Sequence, residues 1–433
     1  MSARSQDLPV LQREPGHPAS HAWLTWALSA LLAVMPLSFS IEPGIKAMPV
    51  ALLFIGGVAS LWRAPLRRSY RAAAPVTAGA LVLAALDVGN VLWHRLGVRP
   101  LDHAAHVLLY VVVAAVFARP LRMTLVWAGF SFTAIGLGSV CLVQHYGLGI
   151  ARAYGLNGGD SSAIECATVL LGLALLALVQ VLHARAGSKR WWLHVAAMVF
   201  GIYGALLTQS RGPLLAFVPA FLLVLLVHAR RSGRWRGVLA VGAAVCMGGA
   251  LAVMTLHGAM LGRFDSIHQE VAGFDRGDPD GSVGQRLEMW RTALRAFAEH
   301  PLAGIGIGRF DKYVQQEIAA GRADPSIARY NQPHNEYLRA LATGGVPQLL
   351  ALLAVFGLPL AWFGRRLRDP DATVAATASA GLAIVVLYLL CALGESVFYR
   401  VMSQSFFFFL VLGLAVRVGQ RTSCRLRGTQ PAP

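Results

Sequence analysis

Apolar runs of about 20 residues, the length that crosses a bilayer as a helix, recur from one end of the chain to the other. Their boundaries predict about twelve membrane helices, at 22–39, 45–62, 75–93, 101–118, 123–145, 162–183, 191–208, 212–227, 236–256, 346–363, 375–393 and 396–416. The pattern breaks for long only once, so the expected order is a tail (1–21), nine spans (22–256), a polar segment (257–345), three spans (346–416) and a second tail (417–433). A connection that long is expected to fold as a small lid. The predicted fold class is an all-α polytopic membrane protein with one large helical loop. There is no internal repeat or low-complexity tract, and residues 1–20 and 422–433 read as disordered.

Within the lid, Ser282-Val283-Gly284-Gln285 predicts a capping box, with Ser282 at the N-cap. The helix that follows is read as amphipathic, with an apolar stripe of Leu287, Trp290, Leu294 and Phe297 opposite Glu288, Arg291, Arg295 and Glu299. Arg286 falls on the apolar side, and Pro301 ends the helix. A second lid helix is expected from about Pro333, with His334, Tyr337, Leu338 and Leu341 on its apolar face, up to a break at Gly344-Gly345.

Composition agrees with a membrane protein: 56% of residues are hydrophobic and 14% charged, against about a quarter charged in soluble domains. The first twenty residues are polar, and the first apolar run starts near Ala22, so no cleavable signal is expected. The net charge of +17 does not mark a nucleic-acid binder, because it alternates with the spans. Arg63, Arg67, Arg68, Arg71, Arg119, Arg122, Arg185, Lys189, Arg190, Arg230, Arg231, Arg234, Arg236, Arg365, Arg366 and Arg368 fall on one side, with the tail arginines Arg417, Arg421, Arg425 and Arg427. The other side holds Lys46, Arg95, Arg99, Arg152, Arg211 and Arg400 outside the lid. The positive-inside rule makes the first side and both termini cytoplasmic and turns the lid outward; the excess charge meets anionic lipid. Of the five cysteines, four fall in apolar runs and Cys424 in the tail, so neither a disulfide nor a cysteine metal site is expected.

Three cations stand out. Arg286, in the first turn of a helix, makes either a phosphate-binding corner or an arginine lying over Trp290 and snorkelling to lipid headgroups. His334 is either a general base for a substrate hydroxyl or a structural histidine at a helix start. Arg211, in the tight Gln209-Ser210-Arg211-Gly212-Pro213 turn, is either a second anion ligand at a helix N-terminus or an interfacial anchor. Asp275-Arg276-Gly277-Asp278-Pro279-Asp280 mimics an Asp-x-Asp metal loop but reads better as a turn, because a calcium loop counted from Asp275 would place Arg286 where it needs Glu. Gly304-Ile305-Gly306-Ile307-Gly308 follows no strand, which makes it a close-packed turn rather than a dinucleotide loop. Asp87, His103, His106, Gln144, His145 and Glu165 are costly in lipid and either line a polar cavity or tie helices together.

Taken together, Ser210-Arg211-Gly212-Pro213, Gln285-Arg286-x-x-x-Trp290, Pro301-Leu302-x-Gly304-x-Gly306 with Phe310, and Pro333-His334-Asn335-Glu336-Tyr337-Leu338 resemble the O-antigen ligase superfamily of bacterial inner-membrane glycosyltransferases. The order and spacing of the motifs and the span count all match. The resemblance implies a GT-C-like fold and metal-independent transfer of a glycan from undecaprenyl pyrophosphate on the periplasmic side, with lipid A–core oligosaccharide as acceptor in ligases. It implies functional roles for Arg211 and Arg286, as pyrophosphate ligands, and for His334, with Asn335, Tyr337, Trp290 and Arg309 in support, and no cofactor. Gly345-Val346-Pro347-Gln348-Leu349 departs from the Gly-x-x-Gly-Thr-x-Trp common in ligases, which bears on the acceptor. O-antigen polymerases and protein O-oligosaccharyltransferases share much of the same loop. The short tail after the last span favours ligase or polymerase, and the Arg286 and His334 segments favour ligase.

The expected reaction is a single inverting displacement, with His334 taking the acceptor proton and the arginines holding the departing pyrophosphate. A lipid-linked substrate transporter using Asp87, His106 and Glu165 is the rival of another class, although broken helices and inverted repeats are not evident. A structural scaffold is a third reading. Oligomeric state is not written in the sequence.

Overall fold

The computed structural model describes residues 22–41, 43–156, 162–233 and 281–426, with isolated positions between 235 and 247. Fourteen α-helices occur among the described residues: α1 (Ala22–Phe39), α2 (Pro43–Trp62), α3 (Ala64–Arg71), α4 (Ala74–Trp93), α5 (Leu101–Val113), α6 (Met123–Leu142), α7 (Ala163–His183), α8 (Lys189–Leu207), α9 (Arg211–Ser232), α10 (Ser282–Glu299), α11 (Phe310–Ala319), α12 (Glu336–Gly364), α13 (Ala372–Cys391) and α14 (Val401–Leu426). A 3-10 turn extends α5 to Ala118, and a π turn extends α6 to Gly147.

The chain is a multi-pass membrane protein. Among the described residues, ten helical stretches are long and apolar enough to cross a membrane, and the α2–α3 pair, bent by 100°, makes up to eleven. The predicted span at 236–256 lies mostly outside the described residues, and the aspartate-rich 275–280 loop lies wholly outside them. Residues 64–71, expected as plain loop, form the short helix α3, whose Arg67, Arg68 and Arg71 are exposed.

Three helices form the centre. The apolar windows of α7, α13 and α14 are 89%, 83% and 94% buried, against 44–56% for the other spans. Phe406, Phe407, Phe408 and Phe409 in α14 are all buried. Four consecutive residues at about 100° each cover the whole helix circumference, so α14 has no outward face there. Its rings pack on Phe39 of α1, Phe117 after α5, Phe356 of α12 and Tyr388 of α13.

Contacts sort the helix ends into two sets. At the arginine-rich end, Arg119 bonds Ser60, Arg417 bonds the Arg119 carbonyl, and Arg231 bonds the carbonyls of Leu367 and Asp369. At the arginine-poor end, the lid helices α10 and α11 build a second core from Met289, Ala293, Phe310, Val314, Ile327 and Ala342.

The α10 surface differs from the expected stripes. Glu288 and Thr292 are buried with Met289 and Ala293, while Leu294 is 49% exposed. Glu288 tolerates burial because it accepts from Arg291 and from the Asp324 backbone N–H, which offsets the cost of desolvating a carboxylate. The predicted capping box is also absent. Gly281, at φ +106°, is the N-cap, and the Gln285 side chain instead accepts from the Tyr330 hydroxyl at 2.6 Å.

The glycine turn seats the lid on the bundle. Ile305 and Gly306 donate to the Ala342 and Thr343 carbonyls, and Val346 donates to the Pro301 carbonyl. Gly345 breaks α12 at φ +69°, and a Cβ there would fall on the Pro301–Leu302 backbone. Asn90 of α4 completes the seat, donating to Ala303 and Thr343 carbonyls at 3.0 Å each and accepting from the Ile307 N–H at 2.9 Å.

Candidate functional site

Arg211 and Arg286, 75 positions apart in the sequence, line one cavity of about 250 Å³ at the arginine-poor end. Arg211 opens α9, with Pro213 in its first turn and no side-chain cap on the helix N-terminus. Arg286 lies in the first turns of α10, which also starts without a side-chain cap. Gly212 and Pro213 from α9 and Ser282 and Val283 from α10 line the same cavity, so two helix N-termini converge on it. Both the free amides and the macrodipole of such an end favour an anion.

A third arginine, Arg152, also lines the cavity. It was read from the sequence only as an outward charge. Its Nε donates to the Thr208 carbonyl at 3.0 Å, and Gln209 donates back to the Ala151 carbonyl at 2.8 Å. Residues 151–153 and 207–210 are thereby laced together, with Gln209 held at φ +52°. Three arginines and one carboxylate, Glu395, make the lining strongly cationic.

Glu395 is the residue that sequence reasoning missed. It follows α13 and is only 8% exposed. One oxygen accepts from Arg286 at 2.6 Å, and the other meets His334 Nδ1 at 2.9 Å. Arg286 also donates to the Gly394 carbonyl at 2.8 Å. An ionised carboxylate only accepts, so Nδ1 carries the proton in this contact and Nε2 of a neutral ring is left with its lone pair.

His334 is not inside a helix, as the sequence reading expected. It precedes α12 at φ +49°, and Asn335 is the N-cap, accepting from the Leu338 N–H. A left-handed non-glycine residue costs roughly 1–2 kcal/mol, which the surroundings offset. Trp290 Nε1 donates to the Pro333 carbonyl at 2.9 Å, and the Tyr330 ring packs edge-on to the imidazole. On the other flank, Asn335 donates to the Leu393 carbonyl, Glu336 N–H donates to the Ala392 carbonyl, and Phe398 N–H donates to the Glu336 carboxylate. The start of α12 is thus stitched to the same loop that carries Glu395.

The remaining expected residues divide. Trp290 and Asn335 position His334 as described. Tyr337 points into the bundle, its hydroxyl bonded to the Leu389 carbonyl at 2.8 Å. Arg309 is not brought to the site: it donates to the His94 carbonyl and lines a separate cavity with His94, Lys312 and Arg322. Of the costly polar residues in spans, Asp87 binds His103 at 2.6 Å and Gln348 at 2.5 Å, Gln144 holds the 154–155 backbone, His145 meets the Ile150 carbonyl and Glu165 pairs with Arg400 at 2.9 Å. His106 contacts Asp102 on its own helix. Among the described residues, no three His, Cys, Asp or Glu side chains are grouped to hold a metal ion.

Residues 196–353 match the family model described as O-antigen ligase. This match supports membership of the O-antigen ligase superfamily. The matched ligase segment contains Arg211, Arg286 and His334, whereas Arg152 and Glu395 lie on either side of it. A Haemophilus influenzae protein described as uncharacterized is 18% identical over 327 residues, covering 75% of this chain and 81% of its own length. The match supports an enzyme of the glycosyltransferase-like ligase and polymerase kind in the general sense, and implies involvement of lipid-linked glycans and membrane lipids.

Proposed function

We propose that the chain is an O-antigen ligase that moves a glycan from undecaprenyl pyrophosphate to lipid A–core oligosaccharide at the periplasmic face of the inner membrane. The observation that carries the reading is the single carboxylate of Glu395 between Arg286 and His334, which couples a cationic cavity to a histidine with one basic nitrogen.

In this reading, Arg211 and Arg286 hold the pyrophosphate, with Arg152 closing the third side. The acceptor hydroxyl gives its proton to His334 Nε2 as its oxygen bonds the anomeric carbon. The bond from that carbon to the pyrophosphate oxygen breaks, and its electron pair leaves with undecaprenyl pyrophosphate. One displacement inverts the anomeric carbon. Glu395 faces the imidazolium that forms, and the guanidinium groups meet the charge that develops on the leaving oxygen.

Orientation follows from the arginine-rich end facing the cytoplasm, which turns the site and the lid, expected over 257–345, to the periplasm with both termini inside. A lipid-carried donor and a lipid-anchored acceptor then both reach the site from the outer leaflet.

The test is a lipopolysaccharide gel from a ligase-null strain carrying the wild-type chain or His334→Ala. A ladder on lipid A–core with wild type alone is the expected result. Lengthening of single repeat units without attachment to lipid A–core assigns the chain as a polymerase instead. A His334→Ala chain that still moves lipid-linked glycan supports a transporter.

A further inference from the structure

Glu395 has cavities on both sides. Beyond the cationic one lies a smaller cavity of about 50 Å³, lined by His334, Glu395, Gln332, Ser396, Glu165 and Arg400 among others. Gln332 Oε1 and Ser396 Oγ are buried there without a hydrogen-bond partner, their residues 8% and 7% exposed. An unsatisfied buried polar atom costs about 1–3 kcal/mol, so two of them on one small cavity beside a candidate base point to a missing ligand.

We propose that this cavity is the acceptor subsite, taking one hydroxyl-bearing edge of a neutral sugar with Gln332 and Ser396 as its partners. Three observations select that chemistry. Two carboxylates, Glu165 and Glu395, line the cavity, and Arg400 is committed to Glu165 at 2.9 Å, so an anion is disfavoured. An amide oxygen needs a donor, which a sugar hydroxyl supplies and an ionised phosphate oxygen does not. About 10–15 Å³ on this measure holds one water, so the cavity admits a few groups of that size, such as the hydroxyls along one sugar edge. A hydroxyl seated there lies against His334, whose Nδ1 is bonded to Glu395. The name acceptor rests on the transferase reading; the binding of a sugar edge does not.

The test titrates core oligosaccharide, freed of lipid A, against the full chain in lipid nanodiscs without donor. Wild type is expected to bind. Gln332→Ala and Ser396→Ala should each weaken binding by about 3- to 10-fold, the range for one neutral hydrogen bond, and Ser396→Val, which fills the cavity, should weaken it further. Melting temperatures should hold, because neither side-chain atom has a protein partner to lose. In transfer assays the same variants should raise the KM for acceptor and leave the KM for donor unchanged. The proposal is overturned if wild type binds no oligosaccharide, or if all three variants bind within two-fold of it. If the variants lose binding but the wild-type chain makes no ladder on the gel, the subsite stands and the ligase reading falls.

Discussion

Glu395 Oε2 stands 2.9 Å from His334 Nδ1 while the other oxygen of the same carboxylate holds Arg286 at 2.6 Å. The candidate base and the candidate pyrophosphate ligand are therefore aligned by one side chain that lies outside the family-matched segment.

Glu395→Gln should cut transfer by roughly two to four powers of ten, the range for loss of a correctly protonated base. A glutamine amide turned toward Nδ1 offers a donor, favours the other tautomer and removes the free lone pair from Nε2. Single-turnover transfer with purified donor and acceptor measures this, and activity within a few-fold of wild type would rule out the His334–Glu395 coupling.

Arg286→Ala should lower the transfer rate by about 3–4 kcal/mol of transition-state stabilisation, the loss typical of one oxyanion donor. Arg286→Lys should recover little, because a single ammonium does not reproduce the fork that bonds the Gly394 carbonyl and Glu395 together. Rates for both variants at saturating donor decide it, and a lysine variant near wild type would show that charge alone suffices.

Asn90→Ala removes the three hydrogen bonds that this side chain makes to the lid seat and should destabilise that seat by about 2–3 kcal/mol. The expected readout is faster limited proteolysis near residues 303–308 with transfer reduced but present. Unchanged cleavage would mean that the glycine turn holds the lid without Asn90.

The lid should weaken in acid. Hydrogen bonding from Arg322, helped by Arg295 against the cost of burial, holds the Glu317 carboxyl below the usual carboxylate range. The unfolded state then binds more protons near its ordinary pKa of about 4.3, so this stabilisation is complete above that value and is lost as pH falls through the lowered folded value. Hydrogen exchange in α11 should quicken over that window in wild type, and Glu317→Gln should flatten the dependence.

The membrane helices were legible because lipid demands long unbroken apolar runs: the predicted 22–39 span coincides with α1, and 75–93 starts one residue inside α4. Arg211, Arg286 and His334 were legible because their motifs are local. Glu395 and Arg152 were not, since each is a single charge in a short connection and gains meaning only when distant loops meet. A signal existed for Glu395, an acid at the predicted outer end of a span, on the same side as that expected for Arg211 and Arg286. The α10 face was misread because buried ion pairing of Glu288 overrode the polar label, and the start of α12 because Asn335, a strong N-cap, starts the helix after His334 rather than before it.

The stitching of the start of α12 to the 392–398 loop also defines what can be transplanted between relatives. A chimera that exchanges residues 281–335 alone carries Arg286 and His334 but inherits its Glu395 counterpart, and the carbonyls that receive Asn335 and Arg286, from the host. The smallest portable module is thus discontinuous: lid and α13–α14 connection must travel as a matched pair.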